Sequence, residues 1–362
     1  MTSSKHQQPH SKVALIMAGG TGGHIFPGLA IAQQLQAQGW QVHWLGAPGS
    51  MEARIAAEHQ LPFEAVAFSG VRGKGIGRLM RLPWQLGRAV WQSLVIMRRL
   101  RPTVVVGMGG YISFPAGVAA RFCGVPIFLH EQNAIAGLSN RVLASIASHV
   151  FTAFPAVFAQ GVWVGNPLRA AFTQQLAPEQ RYGQRSGPLR ILVMGGSLGA
   201  QALNTVVPQA LALMPEDARP TVLHQSGEKQ IAQLRENYAA AGVQAQLLPF
   251  IDDVASEMAQ ADVLICRAGA STVCEISAVG VAAIFVPFPF AVDDHQSANA
   301  RFLTEAGGAL LCPQKDLKPQ GLAAQLLAFD RARLMAYAIQ SKKQEKLGAA
   351  QAMAAECENL LL

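Results

Sequence analysis

The chain has 362 residues, which is longer than one hydrophobic core usually supports, so two domains are expected. Its five cysteines lack Cys-x-x-Cys or zinc-finger spacing, which argues against a zinc finger or a disulfide framework and favours a reducing compartment. The net charge of +7 is uneven, since residues 1–166 carry 13 Lys and Arg against 4 Asp and Glu. Two halves with different charge suggest two halves with different partners.

Strand and helix patterns alternate from residue 13 to residue 165. Residues 1–12 are polar and are expected to be a disordered tail rather than a signal peptide. Apolar runs predict strands and 3.6-residue periodicity predicts helices between them. The predicted strands are 13–17, 41–45, 63–68, 103–107 and 125–129, and the predicted helices are 25–38, 51–59, 83–99 and 115–122. This alternation predicts a parallel sheet with helices on both faces.

The same pattern restarts after Asn166-Pro167, which is expected to be the hinge between domains 13–165 and 166–339. Predicted strands in this second half are 189–194, 221–225, 246–248, 263–266 and 282–286. The fold class is therefore α/β, with two Rossmann-like doubly wound parallel sheets in tandem. Ligands of such sheets lie at the carboxyl ends of the strands, so a cleft between the domains is expected. No segment reaches the roughly 20 apolar residues of a spanning helix.

Three glycine-rich turns follow predicted strands, at residues 19–23, 107–110 and 195–199. Glycine lets backbone N–H groups approach a phosphate, so the three turns favour a ligand that carries a diphosphate. None of the turns has the Gly-Lys-Ser/Thr of a Walker loop, and the first and third depart from the dinucleotide pattern. The alternative is that they are only tight turns.

His24 follows the first glycine turn directly. An imidazole at a strand end can act as a general base near neutral pH. The alternative is a histidine that only caps the following helix.

Residues 262–275 predict a strand that turns sharply into a helix. Val263 to Cys266 is apolar, Gly269 breaks the strand, and Thr272 with Glu275 fits a capping box at a helix start. Such a helix start suits a phosphate, and Glu275 could accept hydrogen bonds from a ribose diol. In the alternative, Glu275 only caps its own helix.

Two acidic pairs, Asp252-Asp253 and Asp293-Asp294, have no neighbouring His cluster or Asp-x-Asp motif. Solvated loops or helix caps are favoured over a metal site. We expect no metal and no cofactor.

Residues 65–130 carry nine basic residues and no Asp or Glu, interleaved with large apolar side chains. Such a surface suits an anionic bilayer, and the residues expected to contact it are Ile76, Arg78, Leu79, Arg81 and Trp84. Nucleic acid is not expected as a partner, because no recognition helix, finger or RNP-like motif is present. An amphipathic helix with a solvated basic face is the alternative.

The motifs GGTGGHIFPGLA, SGVRGKGI, GMGGYISFP, HEQNAIAG, VGNPLR, GGSLGAQ, FIDD and CRAGASTVCEI resemble, in this order, those of the bacterial MurG glycosyltransferases. The resemblance runs from about Val13 to about Gly308. It implies the GT-B fold, with a last helix at about 340–362 that packs back on the first domain.

The activity that the resemblance implies is an inverting transfer of N-acetylglucosamine (GlcNAc) from UDP-GlcNAc. The acceptor is the 4-hydroxyl of the N-acetylmuramic acid (MurNAc) in undecaprenyl-pyrophosphoryl-MurNAc-pentapeptide, so lipid I becomes lipid II in peptidoglycan synthesis. The resemblance also implies a peripheral location at the cytoplasmic face of the inner membrane. Other cell-wall and division proteins are further expected partners.

Site residues carry over where the motifs match. His24 matches the proposed base, Glu275 the ribose contact, and Ile251 the residue whose backbone contacts uracil. Ser197 matches the residue that reaches the phosphates. The other positions that match donor contacts are Thr21, Gly22, Gly23, Asn133, Arg169, Ala270, Ser271, Thr272, Val273, Cys274, Gln296 and Asn299. This chain is about one residue longer than familiar members around residues 289–295.

Two alternatives to the transferase remain at this level. A UDP-GlcNAc 2-epimerase shares the architecture but has no need of the basic stretch at 65–130. A non-catalytic nucleotide-sugar-binding partner of the cell-wall machinery would have no need of His24.

Overall fold

The computed structural model describes residues 12–68, 81–196 and 199–362. The described chain divides into two compact units. The first comprises Met1–Leu168 and Gly348–Leu362, apart from the residues just excluded, and the second comprises Arg169–Leu347. The predicted hinge, Asn166-Pro167, lies next to this boundary between Leu168 and Arg169. The disordered tail predicted at residues 1–12 lies, apart from Lys12, outside the described residues.

The described part of the first unit forms a seven-stranded sheet in the order β3-β2-β1-β4-β5-β6-β7, and its described strand pairs are parallel. Its strands are β1 (Val13–Ala18), β2 (Gln41–Gly46), β3 (Phe63–Ala65), β4 (Val104–Gly109), β5 (Ile127–Glu131), β6 (His149–Thr152) and β7 (Val162–Trp163). Its helices are α1 (Gly22–Ala37), α2 (Met51–Glu58), α3 (Leu82–Leu100), α4 (Ser113–Phe122) and α5 (Leu138–Ala144).

The described part of the second unit forms a six-stranded sheet in the order β10-β9-β8-β11-β12-β13, again with parallel pairs. Its strands are β8 (Arg190–Met194), β9 (Thr221–Gln225), β10 (Gln246–Leu248), β11 (Val263–Cys266), β12 (Ala282–Phe285) and β13 (Ala309–Leu311). Its helices are α6 (Ala170–Thr173), α7 (Pro178–Gly183), α8 (Gln201–Ala212), α9 (Ile231–Ala241), α10 (Val254–Gln260), α11 (Ala270–Val279), α12 (His295–Thr304), α13 (Pro319–Leu327) and α14 (Arg331–Lys342).

Alternate side chains of β1 point to opposite faces of the first sheet, as the two-residue period of a strand requires. Ala14 and Ile16 join a core that contains residues of α1 and α2, whereas Leu15 and Met17 join a core that contains residues of α3 and α4. Both faces of β1 are therefore buried, which explains its continuous apolar run.

The last helix, α15 (Ala349–Asn359), packs in the core of the first unit through Met353, Ala354 and Cys357. Its Glu358 accepts hydrogen bonds from Lys12, at 2.9 and 3.0 Å, and from the indole of Trp40 at 2.5 Å. The last helix was predicted to begin at about residue 340. Instead, α14 ends at Lys342. The last helix α15 begins only after Gly348, which has a left-handed φ of 82°.

Candidate active site

The first glycine turn leads into α1 earlier than predicted. Thr21 has an extended backbone and is the N-cap of α1, so the helix begins at Gly22 and not at residue 25. Gly20, at φ 93°, lets the chain turn between β1 and the cap. His24 therefore lies in the first helical turn, where its Nδ1 is 3.0 Å from Oγ1 of Thr21. The carboxyl end of β1 thus presents a histidine whose ring is oriented by a hydroxyl.

The second glycine turn packs directly against the first. A Cβ on Gly109 would lie 2.8 Å from Cδ2 and 3.1 Å from Nε2 of His24. A Cβ on Gly110 would lie 2.3 Å from the carbonyl oxygen of Gly19. Both residues also have φ values that favour glycine, 93° and 85°. Glycine is therefore required here so that the ends of β1 and β4 can approach each other beside His24.

Glu131, at the end of β5, organises the loop that carries Asn133. Its carboxylate accepts hydrogen bonds from Asn133 N at 2.9 Å, Asn133 Nδ2 at 3.3 Å, Gly137 N at 3.3 Å and Asn140 Nδ2 at 2.8 Å. Burial raises the pKa of Glu131, and these hydrogen bonds oppose the rise. Burial also lowers the pKa of the neighbouring His130 to about 4, which leaves that ring neutral at pH 7. The predicted donor contact Asn133 is thus held on both its backbone and its side chain.

Glu52 is a buried carboxylate beside the first glycine turn, and it was not among the predicted site residues. Its Oε2 accepts from Gly20 N at 3.5 Å and its Oε1 from Ala47 N at 3.2 Å. It thereby contacts the first glycine turn from α2. In the sequence, Glu52 stands out only as an acidic residue in the first turn of a predicted helix, and that pattern indicates a helix start rather than a site.

The third glycine turn lies at the end of β8. Gly196 and Gly199 have φ values of 80° and 75°, and a Cβ on Gly199 would lie 1.9 Å from the carbonyl oxygen of Ser226. Gly199 therefore packs closely on the end of β9. The predicted phosphate contact Ser197 lies outside the described residues.

The helix after β11 begins at Ala270, and Gly269 is its N-cap. The capping box predicted from Thr272 and Glu275 is therefore wrong. Gly269 leaves the strand in an extended conformation and the helix starts at once, so both residues lie inside it and not at its cap. Ala270, Ser271 and Thr272 form the first turn of α11, while Val273 and Cys274 are buried. The N–H groups and the positive dipole end at a helix start suit an anion.

Glu275 lies in the second turn of α11 and is partly buried. Burial raises the pKa of its carboxyl to about 7, and the positive charge of Arg169 acts in the opposite direction. Arg169 itself is exposed, is the N-cap of α6, and lies over the ring of Phe172, with Cζ 5.1 Å from the centroid. Two predicted donor contacts that are far apart in sequence thus act on each other.

The remaining predicted donor contacts lie around the same strand ends. Ile251 is buried in the loop after β10. Gln296 Oε1 accepts a hydrogen bond from Phe288 N at 2.9 Å. Asn299 is 0% exposed, and its amide donates to the carbonyl of Ala268 at 3.2 Å. The structure thus places Asn299 behind the segment that leads into α11.

Each acidic pair places one Asp at the N-cap position of a helix, but only Asp253 caps its helix with its side chain. Asp253 Oδ1 accepts from Ser256 N at 3.1 Å as the N-cap of α10, and Asp294 Oδ1 accepts from the Ser297 hydroxyl at 2.7 Å. Within residues 12–68, 81–196 and 199–362, no three His, Cys, Asp or Glu side chains are grouped to hold a metal ion.

The helix α3 has one strongly exposed apolar face. Trp84, Trp91 and Val95 are 69%, 64% and 46% exposed, and their spacing places them on one side of the helix. Arg81, Arg88 and Arg98 are exposed along the same helix, and Cζ of Arg88 lies 5.8 Å from the centroid of the Trp84 ring. The predicted contacts Ile76, Arg78 and Leu79 lie outside the described residues. No helix in the described ranges is both long and apolar enough to cross a bilayer.

Comparisons with known proteins agree with this arrangement. The N-terminal domain model of glycosyltransferase family 28 matches residues 14–152, and the C-terminal domain model matches residues 190–355. A UDP-N-acetylglucosamine--N-acetylmuramyl-(pentapeptide) pyrophosphoryl-undecaprenol N-acetylglucosamine transferase of Paracidovorax citrulli is 59% identical, over 97% of this chain and 99% of the relative. The protein of the same description from Verminephrobacter eiseniae is 60% identical, with the same coverage.

Among solved structures, that of Acinetobacter baumannii MurG matches with a TM-score of 0.85 and 39% identity, over 96% of this chain and 99% of that one. A kitacinnamycin glycosyltransferase, at 17% identity and a TM-score of 0.71, shares the fold. The predicted fold class of two parallel α/β sheets in a GT-B protein is confirmed. The chain belongs to glycosyltransferase family 28 and, within that family, to the MurG transferases.

Proposed function

We propose that this protein transfers GlcNAc from UDP-GlcNAc to the 4-hydroxyl of MurNAc in undecaprenyl-pyrophosphoryl-MurNAc-pentapeptide, with inversion at the anomeric carbon. The product is lipid II. The observation that carries this proposal is the near-full-length similarity to relatives that are described as this transferase. The site residues supply a physical account of each step.

The second unit is proposed to bind the donor. The first turn of α11 offers backbone N–H groups and the positive end of a helix dipole to the diphosphate. Ionised Glu275 would accept hydrogen bonds from the two ribose hydroxyls. Arg169 supplies positive charge near Glu275, so it can favour the ionised carboxylate and the leaving UDP together. Ile251 contributes its backbone to uracil, and Gln296 contacts the sugar.

His24 is proposed as the general base in the first unit. It accepts the proton of the MurNAc 4-hydroxyl while that oxygen forms its bond to the anomeric carbon and the bond from this carbon to UDP breaks. The proton ends on His24, and the electron pair leaves with UDP. Thr21 orients the imidazole through the contact between Oγ1 and Nδ1. No step of this scheme needs a metal, since N–H groups and Arg169 stabilise the leaving charge.

The exposed face of α3 is proposed to rest on an anionic membrane, because the acceptor carries a lipid chain. Tryptophan and arginine side chains on one exposed helix face suit the headgroup region, where the rings are partly buried and the cations meet anionic lipids. The location that follows is peripheral, at the cytoplasmic face of the inner membrane.

The decisive experiment is a transfer assay with radiolabelled UDP-GlcNAc and a lipid I analogue. We expect label in a disaccharide-lipid product, with a β linkage in its NMR spectrum. Release of an epimerised UDP-sugar without acceptor would support a 2-epimerase instead. Binding of UDP-GlcNAc without any turnover would support a non-catalytic partner.

A further inference from the structure

Gln225 is the last residue of β9, and it lies between two segments of the proposed donor site. In the sheet it is opposite Met194 on one side and Leu248 on the other. Met194 precedes the third glycine turn, and Leu248 precedes the segment that contains Ile251. A side chain at this position can therefore reach the loops on both sides.

The amide of Gln225 bonds to both of these loops. Its Nε2 donates to the carbonyl oxygen of Gly196 at 3.1 Å and to that of Pro249 at 3.1 Å. An amide nitrogen carries two hydrogens, so both bonds can be made at once. Gln225 is also buried, so water competes little for these hydrogens.

Each carbonyl has a second donor. Gly199 N donates to Gly196 O at 2.9 Å within the glycine turn, and Gly227 N, on the loop after β9, donates to Pro249 O at 3.1 Å. Each carbonyl therefore keeps one hydrogen bond when the Gln225 amide is removed. What Gln225 adds is a single rigid group that bonds to both loops.

A buried network fixes the end of β9 beside Gln225. Asn204 Nδ2 donates to Gln230 Oε1 at 2.9 Å. The Oδ1 atom of Asn204 then lies 3.0 Å from His224 Nε2, and because Oδ1 can only accept, Nε2 must carry the proton. His224 Nδ1 then accepts from the Tyr238 hydroxyl at 3.0 Å. Burial lowers the pKa of His224 to about 3, so the ring stays neutral and this arrangement persists at neutral pH.

We propose that Gln225 is a positioning residue that sets the separation between Gly196, where the third glycine turn begins, and the loop at 249–251. This inference rests on the proposed function and on the predicted contact of the third glycine turn with the diphosphate, so that one nucleotide spans both loops. UDP, whose uracil and diphosphate use both loops, depends on their separation. Uridine, which has the uracil and the ribose but no diphosphate to place at the glycine turn, does not.

The test compares UDP and uridine binding to the wild type and to Gln225→Met, a variant of similar size that cannot donate. We expect the Kd of UDP to rise about tenfold, as for loss of two hydrogen bonds, and the Kd of uridine to change less than about twofold. KM for UDP-GlcNAc should rise with the Kd of UDP, with a smaller change in kcat. Gln225→Asn, whose shorter amide cannot reach both carbonyls, should show the same selectivity for UDP, and it replaces Gln225→Met if that variant does not fold.

Tyr182→Phe is the matched control. It removes a buried hydroxyl that bonds to Asp262 O at 2.6 Å and to Ala282 N at 3.3 Å, at the opposite ends of the strands in the same unit. It should lower the melting temperature and leave both Kd values unchanged.

Equal weakening of UDP binding and uridine binding by Gln225→Met, or no weakening of UDP binding, would overturn the inference. If the wild type itself did not bind UDP, the proposed function would fail instead.

Discussion

Arg169 and Glu275, 106 positions apart in the sequence, act on each other in the second unit: burial raises the pKa of the Glu275 carboxyl to about 7, and the guanidinium charge opposes that rise. A carboxyl that titrates near neutral pH on a proposed nucleotide-binding helix has direct experimental consequences.

Donor affinity should depend on pH through Glu275. Only the ionised carboxylate accepts both ribose hydrogen bonds, so KM for UDP-GlcNAc should fall as pH rises through about 7. Steady-state kinetics from pH 6 to pH 8.5 would measure this, and Glu275→Gln should raise KM and flatten the profile. A wild-type KM that is the same across the range would contradict the ribose assignment.

The same carboxyl should affect folding stability in the absence of ligand. Its folded pKa is raised, so the folded state binds more protons than the unfolded state between about pH 4.5 and about pH 7, and stability falls as pH rises through that window. Glu275→Gln cannot ionise and should gain stability relative to the wild type at pH 8 more than at pH 5. Urea denaturation of both proteins at the two pH values gives the comparison, and an identical difference at both would refute the shift.

His24→Ala should lower kcat by about 10²- to 10⁴-fold, the usual contribution of a general base, with little change in KM for UDP-GlcNAc. The transfer assay with a lipid I analogue measures both parameters. His59→Ala, which removes an exposed histidine after α2, serves as the control and should keep full activity. Full kcat in His24→Ala would rule out the base.

Gly109→Ala should lower kcat more than about tenfold, because the new Cβ would lie 2.8 Å from the His24 ring and displace it. Gly124→Ala is a matched control, since Gly124 also has a positive φ, of 70°, but its Cβ would meet nothing within 4 Å. Both variants should lose about 1 kcal/mol of stability from backbone strain, and only the first should lose activity. Equal activities at equal stability would show that the position of His24 does not depend on Gly109.

Membrane binding should depend on α3. The double variant Trp84→Ala/Trp91→Ala should weaken binding to vesicles with anionic lipid by about tenfold or more, and Arg88→Glu should weaken it in a salt-dependent way. Arg54→Glu is the charge-matched control, because Arg54 lies on α2, which packs on the opposite face of the first sheet. Vesicle co-sedimentation measures all of them, and equal loss in Arg54→Glu would indicate a general charge effect rather than a docking face.

Local sequence patterns were enough to predict ten of the thirteen strands that the structure describes, the glycine turns at strand ends and the basic, tryptophan-bearing helix, but they missed β6, β7 and β13. These features depend on residues within a few positions of each other, so periodicity and glycine spacing contain the information. Thr272 and Glu275 match a capping box but do not form one. A matching pair of residue types does not determine where a helix starts when Gly269 already ends the strand.

The tertiary structure alone decided which distant groups meet. Sequence could not show that His24 packs on Gly109, that Glu131 holds Asn133 and Asn140, or that the Gln225 amide joins Gly196 to Pro249. The sequence also could not show that Asn299 is buried or that Glu275 is partly buried. The physical reason is that the order of strands in each sheet sets which loops are neighbours, and the resulting contacts then determine hydrogen bonds and pKa values.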